Sequence, residues 1–185
     1  DILKKNKHVF ILSDDIYEHV TYDNFKFFTI AQIKGLKDRT LTMNGVSKSY
    51  AMTGWRIGYG AATKEIIEAM AKLQSQSTTN PSSISQAAAV EALNGNQDFM
   101  LKRNQTFKER RDFVVETLNK IEGISCLKPN GAFYVFPNCL KFLNKKDKTG
   151  KIIKNDSDFV NSLLENYQVA VVQGSAFGLE GYFRI

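Results

Sequence analysis

The chain is organised around residues 46–60, which read Val-Ser-Lys-Ser-Tyr-Ala-Met-Thr-Gly-Trp-Arg-Ile-Gly-Tyr-Gly. Lys48 stands between two hydroxyl residues, and a glycine-spaced strand carrying Arg56 follows it. A lysine amine attacks a carbonyl carbon only in its neutral form, and burial or a nearby cation lowers its pKa. Small hydroxyl groups and an arginine fork are also common ligands of phosphate. The stretch therefore indicates a site for an aldehyde that carries a phosphate group.

The same stretch resembles the lysine motif of the class I and II aminotransferases, Ser-Lys-[Ser/Thr]-[Tyr/Phe]-x-[Met/Leu]-[Thr/Pro]-Gly-x-Arg-[Ile/Leu]-Gly, and it matches every defined position. Enzymes of that family use pyridoxal phosphate, which is an aldehyde of the expected kind. The resemblance implies that Lys48 forms the Schiff base with the cofactor and that Ser47 and Arg56 bind its phosphate. The alternative is an exposed loop lysine beside an ordinary glycine-rich strand, and a Ser-Lys-Ser triplet alone would favour it.

A second group of candidate residues follows the first apolar run of the chain. The continuous run Val9 to Leu12 predicts a strand buried on both faces. Polar residues just past the carboxyl end of such a strand commonly line an α/β site. Aminotransferases carry Asp-[Glu/Asp]-x-Tyr at this place, which implies that Asp14 pairs with the pyridine nitrogen and Tyr17 hydrogen-bonds the phenolic oxygen. Asp15 is predicted to be a surface residue.

The third motif closes the chain. Residues 174–185 read Gly-Ser-Ala-Phe-Gly-Leu-Glu-Gly-Tyr-Phe-Arg-Ile and resemble the family pattern Pro-Gly-x-x-Phe-Gly-x-x-Gly-x-x-Arg-[Ile/Leu], with Gln173 in place of the proline. The resemblance implies that Arg184 binds the substrate α-carboxylate, and a planar two-pronged donor suits a carboxylate. Without the preceding glycines, a surface strand arginine would be the better interpretation.

The spacing of apolar residues, together with glycine, proline and capping residues at the ends of elements, predicts an alternation of strands and helices, which is typical of an α/β fold. The strands are predicted at Arg39–Asn44, Trp55–Ala62, Ser125–Leu127, Ala132–Phe136 and Val169–Val172, and the helices at Lys64–Gln76, Pro81–Asn94, Gln97–Ile121 and Asp158–Tyr167. The resemblance implies that residues 1–96 are part of the large cofactor-binding domain, with a mainly parallel sheet. It further implies a bridging helix at 97–122 and a truncated small α+β domain at 123–185.

Composition excludes several other classes of protein. The 185 residues are 43% hydrophobic and 24% charged, and no apolar run approaches the roughly 20 residues that span a bilayer. No secretion leader opens the chain, and Cys126 and Cys139 lack metal-ligand spacing, so we expect reduced thiols, no metal and a cytoplasmic protein. The net charge of +6 is spread along the chain apart from a lysine-rich segment at 145–154, which is predicted to be a solvated loop. Neither nucleic acid nor a membrane is therefore expected as a partner.

The segments Leu12–His19 and Ser75–Pro81 resemble most closely those of the bacterial aspartate/prephenate branch. This resemblance implies an aminotransferase that moves an amino group between aspartate and 2-oxoglutarate and acts as a homodimer. The resemblance covers only the second half of the family's enzymes, so this chain is expected to be a fragment that is inactive alone. Within the family, a transaminase of aromatic amino acids, alanine or prephenate and a carbon–sulfur lyase are alternatives. Outside it, a non-catalytic remnant and a basic binding module remain open.

Overall fold

The computed structural model describes residues 1–185 and shows two compact units, Asp1–Asn104 and Gln105–Ile185. Unit 1 contains α1 (Ile2–Lys5), β1 (Ile11–Asp14), β2 (Thr40–Gly45), β3 (Gly58–Ala61), α2 (Lys64–Ser75) and α3 (Ser83–Asn94). The helix α4 (Asp98–Asn119) contains the division between the units, and unit 2 adds α5 (Asp156–Tyr167), β4 (Val172–Gln173) and β5 (Phe183–Arg184). The three-part division at residues 96 and 122 stays a prediction.

The sheet of unit 1 brings one end of each of its three strands to the same edge. Its strand order is β1-β2-β3, with β1 and β2 parallel and β2 and β3 antiparallel. Asp14 pairs with Met43, and Gly45 pairs with Gly58. The carboxyl ends of β1 and β2 therefore lie beside the beginning of β3. The expected sheet was mainly parallel, and one of its two strand pairs is.

The first strand differs from its prediction in position and in burial. It begins at Ile11 rather than Val9, and the side chain of Leu12 is 63% exposed. The expectation of burial on both faces is therefore wrong for this chain, because no other residue of the chain covers the face that carries Leu12. The surface assignment of Asp15 is also wrong: Asp15 is buried, and its carboxylate accepts a hydrogen bond of 2.7 Å from the Ser13 hydroxyl.

The helices of unit 1 form close to their predicted bounds. Helix α2 ends one residue before its predicted end. Helix α3 begins at Ser83 rather than Pro81, since Gln86 N–H donates the first helical hydrogen bond to the Ser82 carbonyl at 2.9 Å. Helix α3 buries Ala89 against Val46 and Ile57, so this helix supports the segment around Lys48.

Unit 2 has two apolar clusters: the larger, beside α5, comprises Cys139, Ile153, Phe159, Val160 and Phe183, and the smaller comprises Val115, Cys126 and Val135. Its predicted strands are mostly reduced to single backbone pairs. Ser125 pairs only with Asn138, and Val135 exchanges two hydrogen bonds of 3.1 Å with Ile185. The strand expected at Val169–Val172 shortens and shifts to β4. Unit 2 therefore depends on packed side chains more than on an extended ladder.

The lysine-rich segment 145–154 was predicted to be a solvated loop, and its lysine residues are exposed, while its backbone forms a closed turn. The Asp147 carboxylate accepts hydrogen bonds from Thr149 N–H at 2.8 Å, the Thr149 hydroxyl at 2.6 Å and Lys151 N–H at 3.0 Å. Lys146 and Ile152 form a β-bridge across it. No helix in the structure has both the length and the apolar character required to cross a membrane.

Candidate functional site

The loop that carries Lys48 is fixed at both of its ends. Val46 is fully buried, and its N–H donates to the Ile57 carbonyl at 3.3 Å. The Val46 carbonyl in turn accepts from Met52 N–H at 3.3 Å, which closes the loop into a compact turn. Packing of Val46 and Ile57 on Ala89 of α3 supports it from beneath. Lys48 is therefore presented at the sheet edge by a backbone with little freedom to move.

Gly45 permits this closure, because a side chain there would collide with backbone. A Cβ atom on Gly45 would lie 2.9 Å from the Ile57 carbonyl oxygen and 3.3 Å from Gly58 Cα. Glycine within a strand often marks such a close approach.

Polar atoms surround Lys48 along the turn. The Lys48 carbonyl accepts from Ala51 N–H at 3.1 Å, and the Ser47 carbonyl accepts from the Thr53 hydroxyl at 3.2 Å. Lys48 and Ser47 are half-buried. Ser49 is buried, and its hydroxyl has no hydrogen-bond partner in the protein. An unpaired buried hydroxyl is costly, so its presence next to Lys48 indicates a place where a polar ligand atom or water is accommodated.

Arg56 lies at the end of the same loop, where the chain returns to the sheet edge. It follows the short 3-10 turn Thr53–Trp55 and adopts the left-handed conformation, with φ 54° and ψ 46°. One guanidinium nitrogen, Nη1, donates to the Thr53 carbonyl at 2.9 Å. The side chain is exposed and lies two residues before β3. Its unusual backbone thus occurs at the point where the chain returns from the lysine loop to the sheet.

Asp14 and Tyr17 occupy the end of β1 at this edge. Asp14 is the last residue of the strand, and its exposed carboxylate accepts a hydrogen bond of 3.3 Å from Ile16 N–H. Tyr17 sits in the following turn, where its carbonyl accepts from Val20 N–H at 2.9 Å. A cavity of about 420 Å³ opens beside Asp14, between the glycine-rich β3 and helix α2. The sheet topology places the end of β1, the end of β2 and the start of β3 at one edge, so Asp14, Tyr17, Ser47, Lys48 and Arg56 all lie in segments at that edge. Of these five residues, Asp14 alone lines the cavity.

Sequence reasoning missed a polar link between the two strand ends. Asn44 Nδ2 donates to Glu18 Oε1 at 2.6 Å, and Gly45 N–H donates to Asn44 Oδ1 at 2.7 Å. Burial, reinforced by the charge of Glu18, raises the pKa of the Tyr50 and Tyr59 phenols. Glu18 therefore ties the turn after β1 to the end of β2, which leads into the lysine loop (residues 46–57). No sequence signal indicates this link, since its partners lie 26 positions apart.

Arg184, the third predicted contact, belongs to unit 2 and is held between aromatic rings. Its Cζ atom lies 4.4 Å from the ring centre of Phe177 and 4.5 Å from that of Tyr134. Cation–π contacts of this kind restrain a guanidinium while leaving its N–H groups able to bind a planar anion. Phe177 belongs to the family-like motif, whereas Tyr134 was predicted only as part of a strand.

The sequence comparison gives the class of protein. The family model for aminotransferase class I and II matches residues 1–185, which is the whole chain. The chain belongs to the class I and II aminotransferase family.

Two curated relatives show how similar the chain is to members of that family. The chain is 58% identical over 186 residues to the aspartate aminotransferase of Rhizobium meliloti strain 1021, covering all of this chain and 45% of that protein. It is 56% identical over 185 residues to a probable aspartate/prephenate aminotransferase of Rickettsia felis, again covering 100% of the chain and 45% of the relative. The chain thus spans less than half the length of the curated relatives that it matches.

Solved structures agree with this assignment. The crystal structure of the Rhizobium meliloti aspartate aminotransferase superimposes with a TM-score of 0.95 at 58% identity, over 100% of this chain and 46% of that one. An aromatic aminotransferase from Pyrococcus horikoshii matches with a TM-score of 0.85 at 38% identity, over 100% and 48%. The α/β fold is therefore that of aminotransferases, and aminotransferases named for different substrates share it.

Proposed function

We propose that the protein containing this chain is a pyridoxal-phosphate-dependent aminotransferase that moves an amino group between aspartate and 2-oxoglutarate. The observation that carries the proposal is the rigid turn holding Lys48 at the sheet edge where Asp14 ends β1. Family membership supports the reaction type. The names of the relatives, aspartate and aspartate/prephenate aminotransferases, support the amino acid.

The residues at this edge suit the cofactor chemically. Ser47 and Arg56 would hold the phosphate, because a hydroxyl and a guanidinium both donate to phosphate oxygens. The buried Ser49 hydroxyl, which lacks a protein partner, adds polar capacity beside them. Asp14 would face the pyridine nitrogen and Tyr17 the phenolic oxygen. A carboxylate next to a ring nitrogen favours its protonated form.

Each of these side chains has a defined task in the proposed reaction. When bound, pyridoxal phosphate supplies an electron sink for the negative charge that develops at the substrate α-carbon. Lys48 Nζ removes the proton from that carbon as a general base and returns a proton as a general acid. Asp14 maintains the positive charge of the ring nitrogen. Arg184 would bind the substrate α-carboxylate, and a contact of this kind limits the orientations that a substrate can adopt.

The domain, the location and the oligomeric state of the protein are part of the same proposal. Residues 123–185 would belong to the small α+β domain of the enzyme, residues 97–122 would form its bridging helix, and the protein would act in the cytoplasm as a homodimer. The resemblance of the motifs supports these points. Light scattering of the purified holoenzyme gives the oligomeric state, and a monomeric active enzyme would contradict the dimer.

The test compares Lys48→Ala with Lys64→Ala in the complete protein loaded with pyridoxal phosphate. Lys64 is an exposed lysine of α2 that pairs with Glu68 at 3.6 Å, so its removal controls for loss of charge. We expect Lys48→Ala to abolish transamination and the yellow absorbance of the bound cofactor, and Lys64→Ala to leave both unchanged. Normal turnover of Lys48→Ala would contradict the assignment.

The substrate is tested separately with wild-type protein and a panel of aspartate, alanine, phenylalanine and a sulfur-containing amino acid. Formation of glutamate from 2-oxoglutarate identifies transamination, and release of ammonia with a thiol identifies a carbon–sulfur lyase. A marked preference for an uncharged amino acid would replace aspartate in the proposal while leaving the reaction type intact.

A further inference from the structure

A buried carboxylate in unit 2 has no place in the reaction described above. Asp156, the first residue of α5, is only 2% exposed. Its Oδ1 atom accepts from Ser157 N–H at 3.1 Å, and its Oδ2 atom accepts from Ser175 N–H at 2.6 Å. Burying a carboxylate costs free energy unless donors replace the lost water. The N-terminal position in α5 offsets part of that cost through the helix dipole.

The second of these hydrogen bonds reaches a turn that is distant in sequence. Ser175 belongs to the short 3-10 turn Gly174–Phe177, which connects β4 to the final segment of the chain. Gly174 is buried, and a Cβ atom there would collide with the carbonyl oxygens of Leu179 and Tyr182. The turn is therefore closely packed against its own return segment, and Asp156 is the side chain that fixes it to α5.

The far end of the same loop is fixed by a different residue. Cys139 N–H donates to the Gly181 carbonyl at 2.8 Å, and the Cys139 thiol contacts the same oxygen at 3.3 Å. Between the two attachments the loop carries Phe177, whose ring centre lies 4.4 Å from Arg184 Cζ. The position of Phe177 thus follows from the end that Asp156 fixes, only two residues away.

We propose that Asp156 is a positioning residue for Arg184: its carboxylate fixes the turn Gly174–Phe177 and thereby holds the Phe177 ring over the guanidinium. The inference rests on the proposed function, in which Arg184 binds the substrate α-carboxylate. A hydrogen bond to a charged acceptor is about twice as strong as a neutral one. A carboxylate therefore restrains the turn better than a neutral side chain of the same shape.

The consequence concerns substrate affinity. A guanidinium that is already oriented loses less conformational freedom when the carboxylate binds. Weakening the Ser175 contact releases Phe177 and lets Arg184 sample other rotamers. Substrate binding then weakens, whereas the chemistry at Lys48, in unit 1, retains its own residues.

The experiment measures KM and kcat for aspartate in the complete enzyme loaded with pyridoxal phosphate. The concentration of active sites, by which kcat is calculated, is determined from the absorbance of the cofactor. Asp156→Asn keeps an oxygen that can accept from Ser175 but removes the charge, and Asp156→Ala removes both. Asp158→Asn is the matched control, because Asp158 lies in the same first turn of α5 and accepts from Lys154 N–H at 3.0 Å. Phe177→Leu and the double variant with Asp156→Asn test whether the two residues act together.

We expect KM to rise about tenfold for Asp156→Ala and less for Asp156→Asn, with kcat per active site nearly unchanged. Asp158→Asn should behave as wild type, and the double variant should show less than the sum of the two single effects. If Asp156→Ala does not fold, Asp156→Asn and the double variant decide the matter.

Two results would overturn the inference, and they are distinguishable. If Arg184→Lys raises KM while Asp156→Asn and Asp158→Asn give the same KM, Asp156 has no positioning role and the proposed function stands. If Arg184→Lys leaves KM unchanged, the carboxylate contact itself is misassigned and the inference falls with it. A purely structural role for Asp156 would lower the melting temperature of the variant without changing KM per active site.

Discussion

Replacing Gly45 by alanine should disrupt the lysine loop through a contact of known size. The added Cβ would lie 2.9 Å from the Ile57 carbonyl oxygen, whereas ordinary contact begins at 3.4 Å. The backbone of β3 must therefore retreat by about 0.5 Å, since the obstructing atom cannot rotate away. That retreat lengthens the Val46 N to Ile57 O distance from 3.3 Å toward about 3.8 Å, beyond hydrogen-bonding range.

The cost of the substitution follows from these two effects. Overpacking a closely packed site costs about 1–3 kcal/mol. A lost hydrogen bond whose donor is buried, as Val46 is, costs about 1–3 kcal/mol in addition. We therefore expect Gly45→Ala to lower the free energy of unfolding by about 2–4 kcal/mol after partial relaxation. Cofactor affinity should fall too, because Lys48 is only three residues further along the loop.

Gly54→Ala is the matched control for this prediction. Gly54 lies in the same stretch, but an added Cβ would meet no atom within 4 Å. Its effect on the free energy of unfolding should stay within about 0.5 kcal/mol. Urea titration of both variants measures stability, and cofactor titration by absorbance measures affinity. If Gly45→Ala unfolded at the same urea concentration as Gly54→Ala, the close approach of β2 and β3 would not constrain the loop.

Three further predictions concern other parts of the chain. Cys139 should react with an alkylating agent far more slowly in the native protein than in urea. The thiol is fully buried, and burial together with the charge of Asp156 raises its pKa to about 11. Equal labelling of the native and the urea-unfolded protein in mass spectrometry would contradict this. Hydrogen bonds led by the Thr149 hydroxyl lower the pKa of Asp147, so its stabilising effect is present above pH 3.8 and is lost as the pH falls through the lower folded pKa. Asp147→Asn should lack that acid-dependent loss in thermal melts, and parallel curves for variant and wild type would refute it. Residues 1–185 expressed alone should bind pyridoxal phosphate at least about tenfold more weakly than the Rhizobium meliloti relative, because Asp14 is open to solvent, and equal dissociation constants would contradict this.

The family and the type of fold could be predicted from the sequence because the decisive residues are contiguous. The lysine motif lies within 15 residues, and the helices of unit 1 follow local periodicity and capping. The burial of β1 could not be predicted in the same way. An apolar run such as Val9 to Leu12 indicates a buried strand, but which residues cover it depends on elements distant in sequence. Leu12 is exposed, so no element of this chain covers that face of β1.

The supports of the candidate site were invisible for a related reason. Glu18 and Asn44 are 26 residues apart, and Asp156 and Ser175 are 19 apart. Each of these residues alone looks like an ordinary polar surface residue. Only the register of β1 with β2 and the packing of α5 bring the partners together. Motif residues are thus readable from local pattern, whereas the residues that orient them require the folded chain.

The two candidate binding groups are restrained by different physical means, and this difference has a functional consequence. Lys48 is held through backbone hydrogen bonds and the packing of Val46, so its position tolerates changes in surrounding charge. Arg184 is held by the ring face of Phe177, whose turn is itself fixed by the buried carboxylate of Asp156. A base that transfers protons needs a fixed distance to one carbon, and a rigid backbone provides it. A carboxylate-binding arginine can instead be adjusted by the side chains around it, so under the proposed function substitutions near Arg184 should change the affinity for every amino-acid substrate while leaving the proposed proton transfer at Lys48 intact.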